Sequence, residues 1–150
     1  MITQLKRYGE KHTEKRNKIV IDTGVLVSAF AFDGVPERAV IKAFTEAEIY
    51  VSPALLQEYR DVPLELETKG KITHLQLEAL IAGIAAFVAN AKVVYPLKRL
   101  ALCRDAKDNM LLECCFEAKA RFLITGDRDL LEVINLPFNL RIITPKEYLI

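Results

Sequence analysis

Five short apolar runs punctuate the chain: "KIVID" at 18–22, "EIYVS" at 48–52, "KVVYP" at 92–96, "RFLITG" at 121–126 and "LRIITP" at 140–145. Each is rich in β-branched or aromatic residues, bounded by a polar residue, Gly or Pro, and separated from the next by enough chain for a helix. Apolar runs of this kind are buried on both faces, so the pattern predicts an α/β domain with a central parallel sheet covered by helices. The helices carry their own start signals. Ser52-Pro53 sets a cap residue before a proline suited to the first helical position, and Thr73 with Gln76 has the spacing of a capping box. Pro63 is expected to end or kink the helix begun at Pro53. The longest apolar stretch, "ALIAGIAAFVANA" from Ala79 to Ala91, is shorter than the roughly 18–20 residues a bilayer requires. It predicts a buried helix, with a dimer face around Leu80, Ile84 and Phe87 as the alternative.

A length of 150 residues fits one domain, and 51% hydrophobic with 27% charged residues is the balance of a soluble globular chain. Cys103, Cys114 and Cys115 are odd in number and lack a Cys-x-x-Cys spacing, which points away from a disulfide framework and from zinc, and toward a reducing cytoplasm. No apolar stretch follows the polar start, so no secretory signal is expected. The net charge of +1 conceals an asymmetry: Lys6, Arg7, Lys11, Lys15, Arg16 and Lys18 outnumber Glu10 and Glu14 at the start, and the remainder is slightly acidic. Residues 1–17 therefore read as a basic tail, either a solvated disordered extension or a nucleic-acid arm, and residues 18–150 as the domain.

Loops at the carboxyl ends of parallel strands hold the site in open sheets of this class. Asp22 closes the first run, where an apolar residue would be cheaper to bury, and Asp127 and Asp129 follow the fourth in "LITGDRDLL". In "RDAKDNMLLECCFEAKA", Leu111, Leu112 and Cys115 share a helical stripe and Asp108 points along it. Helix capping explains one acid there, and Asp105 is the better placed for it. Glu58 in "SPALLQEYRDV" flanks the stripe of Leu55 and Val62; alone, it would be a rim residue with its head in water, as Asp127 alone would be a helix cap. Four such carboxylates at one sheet edge call for a cation. Oxygen-only donors without Cys or His suit Mg²⁺ or Mn²⁺, and water activation beside a phosphodiester is then the natural chemistry. Ser28 and Thr125 are placed to hydrogen-bond the acids. His12 and His74 have no paired serine or cysteine and read as surface residues, and Gly24, Gly34 and Gly126 are isolated turn glycines rather than a phosphate loop.

The segments "IVIDTGVLVSAF", "VSPALLQEYRDV", "CRDAKDNMLLECC" and "FLITGDRDLL" resemble, in order and spacing, the motifs of the PIN domain family, in particular its stand-alone prokaryotic toxin branch (VapC-like). The likeness covers roughly residues 18–145 and implies a three-layer α/β/α Rossmann-like fold with a central parallel sheet in strand order 3-2-1-4-5. Carried over by motif, it makes Asp22, Glu58, Asp108 and Asp127 the catalytic and metal-holding acids, with Asp105 and Asp129 as auxiliaries beside Thr125 and Ser28. It implies an Mg²⁺- or Mn²⁺-dependent endoribonuclease acting on RNA in the cytoplasm, away from membranes. A homodimer and a cognate antitoxin protein are the partners it implies, as in a type II toxin–antitoxin pair. The family commonly has asparagine two residues after the first aspartate, where this chain has Gly24. That departure favours one alternative, a PIN-like RNA-binding domain with weak or no catalysis.

Two other classes share the architecture. A phosphoacceptor receiver domain would use Thr125 and Lys146, but "KVVYPL" offers no aspartate to take the phosphoryl group. Dehalogenase-type phosphatases need Asp-x-Asp, and this chain has Asp22-Thr23-Gly24.

Overall fold

Every apolar run contains a strand, each shorter than the run that marks it: β1 (Lys18–Ile21), β2 (Glu48–Val51), β3 (Lys92–Val93), β4 (Phe122–Ile124) and β5 (Arg141–Ile143). The structure is a computed structural model and describes residues 16–150. Residues 1–15 of the basic segment, His12 among them, lie outside the described residues. The strands form one all-parallel sheet in the order β3-β2-β1-β4-β5, as the motifs imply. In register, Ile19 lies between Ile49 and Phe122, and Ile124 lies between Ile21 and Ile143. Successive strand residues point to opposite faces, and Ile19, Val20 and Ile21 are each 0% exposed, so both faces are covered. At the edge, "KVVYP" yields only two strand residues. Val94 N still donates to Val51 O at 2.8 Å, and Pro96, which has no N–H, cannot carry the pairing on.

Among the described residues, six helices connect the strands and a seventh follows β5: α1 (Thr23–Ala31), α2 (Val35–Glu46), α3 (Pro53–Thr68), α4 (His74–Val88), α5 (Ala106–Ala118), α6 (Arg128–Leu131) and, last, α7 (Pro145–Tyr148). Ser52 Oγ accepts from Leu55 N at 3.2 Å to start α3, and Thr73 and Gln76 exchange both bonds of the capping box that starts α4. A second capping box, Thr144 with Glu147, opens α7. Pro63 does not end its helix, contrary to expectation: α3 runs unbroken to Thr68 with Pro63 buried inside it. The packing of α3 against α1, α4 and α5 outweighs the lost hydrogen bond. Among the described residues, no helix is long and apolar enough to cross a membrane.

The apolar stretch at 79–91 belongs to α4, which starts earlier at His74 and ends at Val88. Leu80, Ile84 and Phe87 are 0%, 8% and 0% exposed and face the core, while Leu75 and Ile81 stay in solvent on the outer side. Where α4 meets α1, Gly83 faces the ring of Phe30. A Cβ at Gly83 would stand 2.5 Å from Phe30 Cγ, against 3.4–4 Å for an ordinary contact. The glycine is therefore a packing requirement. Replacing glycine by alanine inside a helix normally gains roughly 0.5–1 kcal/mol. Here Gly83→Ala should instead lose about 1–3 kcal/mol through overpacking. Thermal melts check the sign, and a variant melting at or above wild type would show that Phe30 turns aside freely.

Candidate active site

The carboxyl ends of β1 and β4 lie side by side where the strand order reverses, which is where open parallel sheets take their ligands. Asp22 N donates to Ile124 O at 3.0 Å and carries the pairing one residue beyond β1. Thr125, 0% exposed, donates its hydroxyl to Asp22 Oδ2 at 2.7 Å, and its own Oγ1 accepts from Asp127 N at 3.0 Å. One hydroxyl thus joins the acid after β1 to the loop carrying the acid after β4. Asp22 occupies the N-cap position of α1 without making a cap bond, so its carboxylate remains turned to this edge. Asp127 Oδ1 accepts from Asp129 N at 2.9 Å and caps α6, as its position in the sequence foresees.

Glu58 is brought in by its neighbour. Tyr59, 1% exposed, donates its hydroxyl to Ile21 O at 2.5 Å and pins α3 to the residue before Asp22. Glu58 is half-buried and lies against the hydroxyl of Thr23. That hydroxyl is itself buried and makes no hydrogen bond of good geometry, an orphan polar atom at the edge of the acid cluster. Asp108 comes from the first turn of α5, where Asp105 Oδ1 caps the helix by accepting from Lys107 N at 2.9 Å. Asp108 makes no such bond and is only 6% exposed. Asn109 fixes the loop before it: its Oδ1 accepts from Leu102 N and Cys103 N at 3.0 and 2.8 Å, and its Nδ2 donates to Cys103 O at 2.9 Å.

The charges of these acids act on one another. Burial, helped by Asp127, Asp105, Asp22 and Asp129, pushes the Asp108 carboxyl up to about 6. Burial also raises Asp22; the Thr125 hydroxyl opposes the rise and the Asp127 charge adds to it, while the amides of Thr23 and Gly24 oppose it more weakly. Glu58 is raised by burial and by Asp22 and Asp105, against the pull of Thr23 and the nearby Lys107 ammonium. Asp22, Glu58, Asp108 and Asp127 therefore share one field, with Asp105 and Asp129 beside them. Of the two hydroxyls expected to bond the acids, Thr125 does so and Ser28 instead lines a cleft beside Asp22 and Asp127. His74 stands on the surface between Glu67 and Glu78, at 2.7 and 3.1 Å.

Two clefts divide the acids. One, of about 690 Å³, is lined by Arg104, Asp105, Asp108 and Asp129 together with Leu102 and Ile134. The other, of about 610 Å³, takes Asp22 and Asp127. Among the described residues, no three acid, His or Cys side chains converge closely enough to hold a metal ion by themselves. The donor set nevertheless fits a hard cation that keeps most of its waters, because Mg²⁺ needs only one or two carboxylates from the protein. Residues that the sequence left unmarked also shape the edge: Tyr59, Asn109, Arg104 and Lys107. Tyr59 alone had a signal, since it stands one helical turn from Leu55 and so shares its buried stripe.

Compared with known proteins, residues 18–129 match the family model described as PIN domain. The chain is 30% identical over 149 aligned residues to the uncharacterized protein MJ1680 of Methanocaldococcus jannaschii, covering 93% of this chain and 94% of that one. Its fold is similar to that of PAE2754 from Pyrobaculum aerophilum, with a TM-score of 0.55, 15% identity, and coverage of 89% of this chain and 88% of that one. The match spans all four acid-bearing segments, and this chain belongs to the PIN domain family, whose fold is of the nuclease type.

Proposed function

We propose that this chain is a metal-dependent endoribonuclease that hydrolyses RNA phosphodiesters at Asp22, Glu58, Asp108 and Asp127, and that it is the toxin of a type II toxin–antitoxin pair. The observation that carries the enzymatic part is the field at the sheet edge, where carboxylates follow two strands (Asp22 and Asp127) and stand on two helices (Glu58 and Asp108), and burial together with neighbouring negative charge raises the proton affinity of Asp22, Glu58 and Asp108. Such a cluster is relieved by protons or by a cation. Asp22, Glu58, Asp108 and Asp127 are the residues that would hold Mg²⁺ or Mn²⁺, which supplies charge neutralisation and an activated water when bound. Thr125 keeps the Asp22 carboxylate oriented. Asp105 and Asp129 add negative field from the flanks, and the exposed Arg104 and Lys107 offer charge to the RNA backbone. The three free cysteines suit the cytoplasm. The outer side of α4, where Leu75 and Ile81 are exposed beside Ala82 and Ala85, supports a homodimer, and the likeness of the motifs to the toxin branch supports an antitoxin partner. A non-cutting RNA-binding domain is the second reading, favoured by Gly24.

Single-stranded or structured RNA should be cut in Mg²⁺ or Mn²⁺ and left whole in EDTA. Asp22→Asn, Glu58→Gln, Asp108→Asn and Asp127→Asn should each lower the rate by roughly 10²-fold or more. Gel assays of end-labelled RNA check this. RNA retained by the wild type but never cut would select the second reading, and cutting that survives EDTA would remove the metal.

The same field fixes how stability responds to pH. Asp22, Glu58 and Asp108 bind protons more tightly folded than unfolded, so their contribution to metal-free stability is present at low pH. It is lost as pH rises from the ordinary carboxylate range through about 6, where Asp108 titrates. In EDTA, Asp108→Asn should therefore melt above wild type at pH 7, with the difference shrinking toward pH 5. Millimolar Mn²⁺ should stabilise the wild type by mass action and the variant much less. Calorimetric melts at both pH values decide it: a variant that melts lower at pH 7 and a wild type indifferent to Mn²⁺ would mean that the acids do not repel one another.

A further inference from the structure

The cleft that contains Asp22 and Asp127 has walls the acid chemistry does not use. Val25, Val35, Pro36 and Pro145 make most of its lining apolar. A phosphate or a hydrated ion gains nothing from such walls, since both need donors or water around them. A flat heterocycle does gain, and about 610 Å³ lies within the range of pockets that enclose small organic ligands. Polar groups stand at defined places on the same cleft: the Ser28 hydroxyl, and the exposed Lys146, which is in no ion pair among the described residues. Lys146 is thus available to a backbone phosphate. Gly24 and Gly126 also line this space without filling it. A Cβ at either position would meet nothing within 4 Å.

We propose that this cleft is a nucleoside subsite, holding the base and ribose of the nucleotide next to the phosphodiester at the acid cluster. The base lies against Val25, Val35 and the two proline rings, the adjoining phosphate meets Lys146, and the missing side chain at Gly24 sets the size of base admitted. A hydroxyl such as that of Ser28 is the type of group that reads a ribose or a base edge. The proposal relies on the nuclease reading only for the position of the scissile phosphate. It gives Gly24 a role in specificity, in place of the amide that the family commonly has there.

The test separates the subsite from the chemistry. Nucleoside 5′-monophosphates titrated into the ¹⁵N-labelled full-length protein in Mg²⁺ should move the amide signals of Gly24, Val25, Ser28 and Gly126. Gly24→Leu, whose side chain would occupy the open space, should weaken this binding about tenfold or more. In RNA digests sequenced at the cut ends, it should also alter the nucleotide preference on one side of the cut. Signals that stay still in the wild type overturn the subsite, and this arm decides even if Gly24→Leu fails to fold. Equal binding by wild type and a folded Gly24→Leu overturns it as well. Nucleotides that move these amides in a protein that never cuts RNA would keep the subsite and remove the nuclease. RNA cut in Mg²⁺ while the amides stay unmoved would do the reverse.

Discussion

The hydroxyl of Thr125 holds the site together. It can donate one proton, and it gives that proton to Asp22 while accepting from the amide of Asp127. This arrangement requires β1 and β4 to be adjacent and parallel with Ile21 opposite Ile124, so that both strands end at the same level. Thr125 N in turn donates to Ile143 O at 2.9 Å, which extends the β4–β5 pairing to the same level. Sheet register and site geometry are thus one constraint, and a one-residue slip would turn Thr125 to the opposite face.

The remaining acids are recruited by bonds that involve no acid. Tyr59 reaches across to the carbonyl of Ile21 and brings Glu58 with it. Asn109 ties the loop at Leu102 and Cys103 to the first turn of α5, beside Asp108. All four bonds are made to backbone atoms and leave the carboxylates themselves unengaged. Asp105 and Asp127 serve twice, since each caps a helix and contributes to the field on its neighbours. Capping offsets part of what it costs to hold acids together, because helix amides favour a negative charge beside them.

The charge at this edge is negative at its centre and bordered by cations, with Arg104 on one cleft, Lys146 on the other and Lys107 near Glu58. A polyanion approaching such a surface is drawn by the border and repelled by the centre unless the centre is neutralised.

Much of the fold was legible along the chain because its determinants are local. β-branched runs marked all five strands, and Ser52, Thr73 and Asp105 marked helix starts, since capping depends on residues a few positions apart. The four principal acids stood out for the same reason, each a carboxylate where the local pattern asks for an apolar or capping residue. Strand ends were less legible, because pairing stops where the partner stops, as the two residues of β3 show. Pro63 misled because its cost is local and the packing that absorbs it is not. Only the tertiary structure decided that Thr125 bonds Asp22 while Ser28 faces a cleft, that Tyr59 and Asn109 position the acids, and that Gly24 borders open space. Those facts depend on segments up to 103 residues apart in the chain, as Thr125 and Asp22 are, and no spacing along the sequence encodes which of them will meet.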